Sequence, residues 1–271
     1  MRGSSTVQDA VAEWDLLPDG DAGGHQRIMH NKRRVIIFDG DDTLWKTQEL
    51  FDEAKAAFAD LLRAERLGGI GTIPRLDEID EERVSTVGFS PRRFTGSMIH
   101  LYSFLCRKKG RDPDPAVESR IEIIGDAVKR TPDLYDDALP VLEALSNQFL
   151  LVLATKGDRE VQARKIKALG IEPFFWRIYV LPKKTEREYA RIINELAVSR
   201  ADVIVVGNSA RSDINPASRL GLKSFLIPRG TWSYEETGLE PGSVHVVGSL
   251  SEVAANLASQ ASASSSAGDG G

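Results

Sequence analysis

The segment Val35-Ile36-Ile37-Phe38-Asp39-Gly40-Asp41-Asp42-Thr43-Leu44 constrains this chain more than any other stretch. Its four leading apolar residues, β-branched or aromatic, predict a strand buried on both faces. Three carboxylates then crowd into four positions where that strand ends. In an open α/β sheet, ligands sit beyond the carboxyl ends of strands, so acids placed there point to chemistry. Asp39 and Asp41 stand two apart, which in extended backbone puts both side chains on one side. Carboxylates forced together repel unless a cation or a shared proton relieves them. The plainer alternative is an acidic turn after a core strand, and the rest of the chain decides between the two.

Three other segments have the same build. Phe149 to Ala154 is a second apolar run, ending in Thr155-Lys156-Gly157-Asp158. A hydroxyl and turn N–H groups at a strand end suit a phosphate oxygen, although a threonine helix cap reads the same way. Lys183 and Lys184 precede a helical stretch with Tyr189, Ile192, Ile193 and Leu196 on one face. Val203 to Val206 is a third apolar run, followed by Gly207-Asn208-Ser209-Ala210-Arg211-Ser212-Asp213-Ile214-Asn215-Pro216.

Asp-x-Asp-x-Thr-Leu after an apolar strand resembles motif I of the haloacid dehalogenase-like hydrolase superfamily, and the other three segments resemble motifs II to IV in order. The resemblance spans about residues 33 to 256. It is narrowed toward one branch of hydrolases by Gly207-Asn208-Ser209, Ile227-Pro228, Thr231-Trp232 and Ser97-Met98-Ile99. It implies that Asp39 is a nucleophile toward phosphorus and Asp41 a general acid and base. Lys184, favoured over Lys183 by its register before Tyr189, neutralises charge between nucleophile and phosphate. Thr155, with Lys156 and Gly157, binds the phosphoryl group. Mg²⁺ is held by the Asp39 side chain, the Asp41 main-chain carbonyl, Asn208 and Asp213, with Gly40 admitting the backbone close to the metal. At Asn208 the chain departs from the family, which commonly has Asp; an amide oxygen is still a hard ligand, but one negative charge is lost.

The implied fold is an α/β, Rossmann-like doubly wound parallel sheet with a helical cap. Strands are expected near 35–38, 150–154, 203–206, 223–227 and 244–247, with a further one near 177–181. Residues 33–48 and 135–258 form the core, and 49–134, too long for one crossover, forms the cap. Phe51, Ala54, Phe58, Leu61 and Leu62 line one cap helix. Ser90 and Pro91 read as the start of another, carrying Phe94, Met98, Leu101, Tyr102 and Leu105. Arg92 or Arg93 is a candidate clamp for a second anionic group, with Ser97 and His100 as further candidates to face the cleft. Residues 1–32, with Trp14, Leu16 and Leu17, read as a weakly held extension, and 259–271 as a flexible tail.

A net charge of −5 without a basic block argues against nucleic acid as main partner. Cys106, the single cysteine, excludes an internal disulfide and multi-cysteine metal sites. No apolar stretch reaches membrane-spanning length and no signal-peptide core stands at the N-terminus, so the cytoplasm is the expected compartment. None of the four histidines falls in a motif. The function implied is a Mg²⁺-dependent phosphomonoester hydrolase for a small phosphorylated metabolite, acting through an aspartyl-phosphate. A phosphomutase would keep the same residues, and a binding protein that had lost turnover finds support only in Asn208. A haloacid dehalogenase would lack the acid at Asp41.

Overall fold

A computed structural model of the chain describes residues 34–266 apart from Ser90, Thr231 and Glu236. Six strands form one parallel sheet in the order β3-β2-β1-β4-β5-β6. They are β1 Val35–Phe38, β2 Leu150–Lys156, β3 Arg177–Leu181, β4 Val203–Gly207, β5 Lys223–Leu226 and β6 Val244–Val246. The strand expected near 177–181 is present as β3, and the doubly wound core expected from the sequence is the one observed.

Packing explains why β1 carries no polar side chain. Ile36 and Phe38 join Leu151, Leu153, Ile204 and Val206 in the core on one face. Val35 and Ile37 join Val152, Val203 and Val205 on the other. Side chains alternate across a strand, and a parallel sheet is covered on both faces by its crossovers, so both sets must be apolar.

The long interval between β1 and β2 begins with four helices: α1 Thr47–Ala64, α2 Thr72–Val87, α3 Pro91–Lys108 and α4 Pro115–Asp126. They bury a separate cluster that includes Phe58, Leu62, Leu76, Met98, Leu101 and Ile121. The apolar face expected on α1 is this buried face, and α3 starts at Pro91 as expected, while Ser90 lies outside the described residues. The two connections to the sheet run side by side. Lys46 N donates to Asp133 O at 2.9 Å and Tyr135 N to Leu44 O at 3.0 Å.

The remaining helices flank the sheet: α5 Ala138–Ser146, α6 Arg159–Leu169, α7 Glu186–Leu196, α8 Asn215–Arg219 and α9 Leu250–Ser266. Helix α9 runs to Ser266, through the first part of the tail expected from Ser259, and residues 267–271 lie outside the described residues. Ala-rich sequence sustains helix, and no Gly or Pro interrupts it before Gly268. The expected N-terminal extension, 1–32, lies outside the described residues. Among the described residues no helix is long and apolar enough to cross a membrane.

Candidate active site

Phe38, the last residue of β1, pairs with Leu153 and Val206; β4 runs one residue further and β2 three, to Lys156, all toward the same carboxyl edge of the sheet. Asp39, Thr155 and Asn208 therefore emerge along one edge of the sheet. Lys184 reaches it from the loop between β3 and α7. A cleft of about 210 Å³ opens between this edge and the helical unit, lined by Asp39, Asp41, Lys184 and Asn208 on one side and by Phe51, Arg93 and Phe94 on the other.

The centre of the cleft is a buried charge cluster. Lys184 Nζ donates to Asp39 Oδ1 at 2.5 Å and also to Asp213 Oδ1. Lys183 is exposed, and Lys184, the one favoured by register, is the one buried in this cluster. Burial, reinforced by Asp213, outweighs Lys184 and pushes the Asp39 carboxyl up to about 7. Burial works against the Lys184 ammonium, but Asp213 and Asp39 hold its pKa well above the ordinary lysine value.

Asp213 is fully buried, and both its oxygens are occupied. Oδ1 accepts from Lys184 and from Tyr189 Oη at 3.1 Å, and Oδ2 accepts from Ser209 N at 3.1 Å. A Cβ on Gly207 would come within 2.3 Å of Asp213 Oδ2, so only glycine lets this carboxylate pack against the strand end. A π-helical turn over Ala210–Ile214 aims it there. Asp213, expected among the metal ligands, stands behind Lys184, with two protein donors on Oδ1 and one on Oδ2. Tyr189, read only as a core residue, is part of that hold.

The expectation that Asp39 and Asp41 face the same way needs correction. Both line the cleft, but the chain turns at Gly40, whose carbonyl accepts from Thr43 N at 3.1 Å and Leu44 N at 2.8 Å. The Asp41 carboxylate consequently points to α6 and the start of α1. Its Oδ1 accepts from Lys165 Nζ and from Trp45 Nε1, each at 2.7 Å, and from Thr47; its Oδ2 accepts from Gln162. Burial alone would raise this carboxyl, but Lys165 overrides it and holds the value at about 2. Gly40 is also needed for packing. A Cβ there would lie 2.2 Å from the Trp45 ring, so the glycine makes room for the indole.

Thr155 is fully buried behind the cleft wall, with its hydroxyl accepting from Gln162 Nε2 at 2.9 Å. Lys156 and Gly157 do line the cleft. Lys156 donates to Ser212 Oγ at 3.0 Å, pairs with Glu235, and lies 4.2 Å from the centre of the Phe89 ring. Glu235 also accepts from Ser209 Oγ at 2.8 Å and Ser212 Oγ at 2.6 Å.

Arg93, a candidate anion clamp, is buried and already paired with Asp80, under the Trp232 ring at 4.6 Å. Asp80 also takes a hydrogen bond from Ser97 Oγ at 2.8 Å. Arg92 and His100 are exposed, and neither they nor Ser97 line the cleft.

The donors suit a hard cation. Thr43 Oγ1 lies 3.2 Å from Asp39 Oδ2 and 3.3 Å from Asn208 Oδ1, so a carboxylate and an amide oxygen converge on one hydroxyl. The upward shift of Asp39 marks a site short of positive charge even with Lys184 present. Both features fit Mg²⁺, which takes oxygen ligands. Among the described residues no three His, Cys, Asp or Glu side chains gather as a metal cluster.

Residues 33–221 match the model of the haloacid dehalogenase-like hydrolases. The chain is 26% identical over 206 residues to glyceraldehyde 3-phosphate phosphatase of Methanopyrus kandleri, covering 73% of this chain and 85% of that protein. It is 31% identical over 98 residues to human N-acylneuraminate-9-phosphatase, covering 34% of this chain and 40% of that one. Among solved structures, a haloacid dehalogenase-like family hydrolase from Xanthomonas campestris superposes with a TM-score of 0.71 at 25% identity, over 84% of this chain and 96% of that one. L-2-haloacid dehalogenase from Xanthobacter autotrophicus shares the fold alone, with a TM-score of 0.56 at 17% identity over 83% and 98% of the two chains.

Proposed function

The chain belongs to the haloacid dehalogenase-like hydrolases, and from that premise we propose that it is a Mg²⁺-dependent phosphatase that hydrolyses a small phosphorylated metabolite through an aspartyl-phosphate on Asp39. Both curated relatives named above are phosphatases, which supports the reaction class. The observation that carries the mechanism is the buried Asp39–Lys184–Asp213 cluster opening onto the cleft.

Asp39 attacks phosphorus in line as the bond to the leaving oxygen breaks, splitting one hard step into two. Lys184 fixes one Asp39 oxygen and compensates charge on the phosphoryl oxygens. The Lys156–Gly157 turn lines the phosphate pocket, with Thr155 behind it. Asp41 is held as a carboxylate by Lys165 in the free protein, so it acts as acid only after taking up a proton in the substrate complex; it gives that proton to the leaving oxygen, then takes one from the water that attacks phosphorus and frees Asp39. Mg²⁺, when bound by Asp39, the Asp41 carbonyl and Asn208, supplies further charge compensation at the phosphoryl oxygens. The helical unit acts as the cap that excludes water and selects the leaving group.

Phosphate release from a generic aryl phosphate, with Mg²⁺ and with a chelator, tests the reading. A panel of sugar phosphates, nucleotides and amino-alcohol phosphates then ranks substrates. Release in the presence of Mg²⁺ and loss on chelation are expected; no release from any of them would sink the reading.

A further inference from the structure

We propose that Lys165 and Gln162, on one face of α6, are positioning residues that set the orientation of Asp41 for its work on the leaving-group oxygen. The inference rests on the proposed role of Asp41 as acid and base.

Lys165 is nearly buried, and its ammonium lies 2.7 Å from Asp41 Oδ1 and 3.4 Å from Thr47 Oγ1. A buried ammonium needs a carboxylate partner, and here that partner is a proposed catalytic acid rather than a structural one. Gln162 is still more buried, and its Nε2 lies within reach of three acceptors: Asp41 Oδ2, Thr155 Oγ1 and Lys156 O. An amide nitrogen carries two hydrogens, so one of the three acceptors is always unserved. The remaining donors, Trp45 Nε1 and Thr47 Oγ1, belong to the connection into α1, so the Asp41 carboxylate is gripped between the core helix α6 and the entrance to the helical unit. Lys165 and Gln162 also line the cleft, together with Asp41.

A residue that acts through Asp41 should matter only where Asp41 matters. Lys165→Met keeps the aliphatic stem and removes the ammonium; Lys165→Arg keeps the charge. Each is compared with wild type on an alkyl phosphate and on an aryl phosphate with a good leaving group. The same comparison is repeated in an Asp41→Asn background. Lys165→Met should lower kcat on the alkyl ester on the order of tenfold, a share of the ~10²–10⁴ typical of acid–base catalysis. KM and the aryl ester should change less than about twofold. Lys165→Arg should recover part of the loss, and Lys165→Met should cost almost nothing further in Asp41→Asn. Equal losses on both esters, or losses that simply multiply in the double variant, would overturn the positioning role. If Lys165→Met does not fold, Gln162→Leu reads the same ratio with the same criteria. Should Asp41→Asn itself show no leaving-group dependence, the acid–base reading fails; if it shows one and Lys165→Met and Gln162→Leu do not, only this inference fails.

Discussion

Lys184 Nζ lies 2.5 Å from Asp39 Oδ1, and both side chains are almost wholly withdrawn from solvent. In the proposed mechanism, an ammonium fixed on one carboxylate oxygen leaves the other to act as nucleophile and brings a positive charge to the place proposed for the phosphoryl oxygens. Asp213 and Tyr189 hold this pair from behind.

Removing Lys184 should cost both catalysis and stability. Lys184→Met leaves Asp39 and Asp213 without their shared partner, which for a buried pair costs about 3–5 kcal/mol. The loss is smaller where one carboxyl takes up a proton, so the drop in Tm should be larger at pH 8 than at pH 5. Activity should fall ~10²–10³-fold, as when a charge-stabilising donor is lost. Thermal melts at the two pH values and initial rates check this; equal drops in Tm would mean the carboxylates do not interact as described.

Asp213→Asn separates positioning from metal ligation. With both its oxygens bound by protein donors, Asp213 should affect the Lys184 ammonium and leave metal affinity nearly unchanged. A Mg²⁺ titration should give a half-saturating concentration within about threefold of wild type while kcat falls by ~10-fold or more. A large rise in that concentration would return Asp213 to the metal ligands.

Asn208→Asp tests the departure from the family pattern. The Asn208 amide oxygen converges with Asp39 on Thr43, so a carboxylate there adds charge beside the cation. The half-saturating Mg²⁺ concentration should fall, with a limited gain because the extra carboxylate also repels phosphate. An unchanged titration would make Asn208 a partner of the Thr43 hydroxyl and nothing more.

Stability of the metal-free protein should depend on pH around neutrality. Burial, with Asp213 next in weight, raises Asp39 from the ordinary 3.8 to about 7, and burial raises Asp42 to about 7. Between those values the folded chain binds more protons than the unfolded one, so stability declines as pH rises from about 4 to about 7. Asp41, held at about 2, acts with the opposite sign, and its contribution is lost only as pH falls below the ordinary value and through 2. Urea unfolding in chelator at pH 5 and pH 8 should give the higher midpoint at pH 5, and Asp42→Asn should reduce the difference. A higher midpoint at pH 8 would contradict these shifts.

The sheet and the centre of the site were legible because each depends on local pattern. An unbroken apolar run ending in polar residues fixes a parallel strand and its business end, and the register before Tyr189 selected Lys184. The direction of Asp41 was not legible. Its partners Gln162 and Lys165 lie 121 and 124 residues away, on a helix that carries several other Lys and Arg residues. The available signal was positional: Gln162 and Lys165 fall on the buried stripe with Ala163 and Ile166, where polar side chains need partners. The contact of Gly40 with the Trp45 ring was not legible either, because it depends on how the turn folds back. Arg93 was read as free to bind an anion, but Asp80 on a neighbouring helix claims it.

The central claim is that Asp39 carries the phosphoryl group. Wild type and Asp39→Asn, both shown to be folded, are mixed with a phosphorus-radiolabelled aryl phosphate and Mg²⁺, quenched in acid within one turnover, and separated from small molecules. Label should stay with wild-type protein, map to the peptide containing Asp39, and be released by hydroxylamine as an acyl-phosphate is. Asp39→Asn should carry no label and release no phosphate. Turnover retained in Asp39→Asn, or label on another residue, would contradict the account.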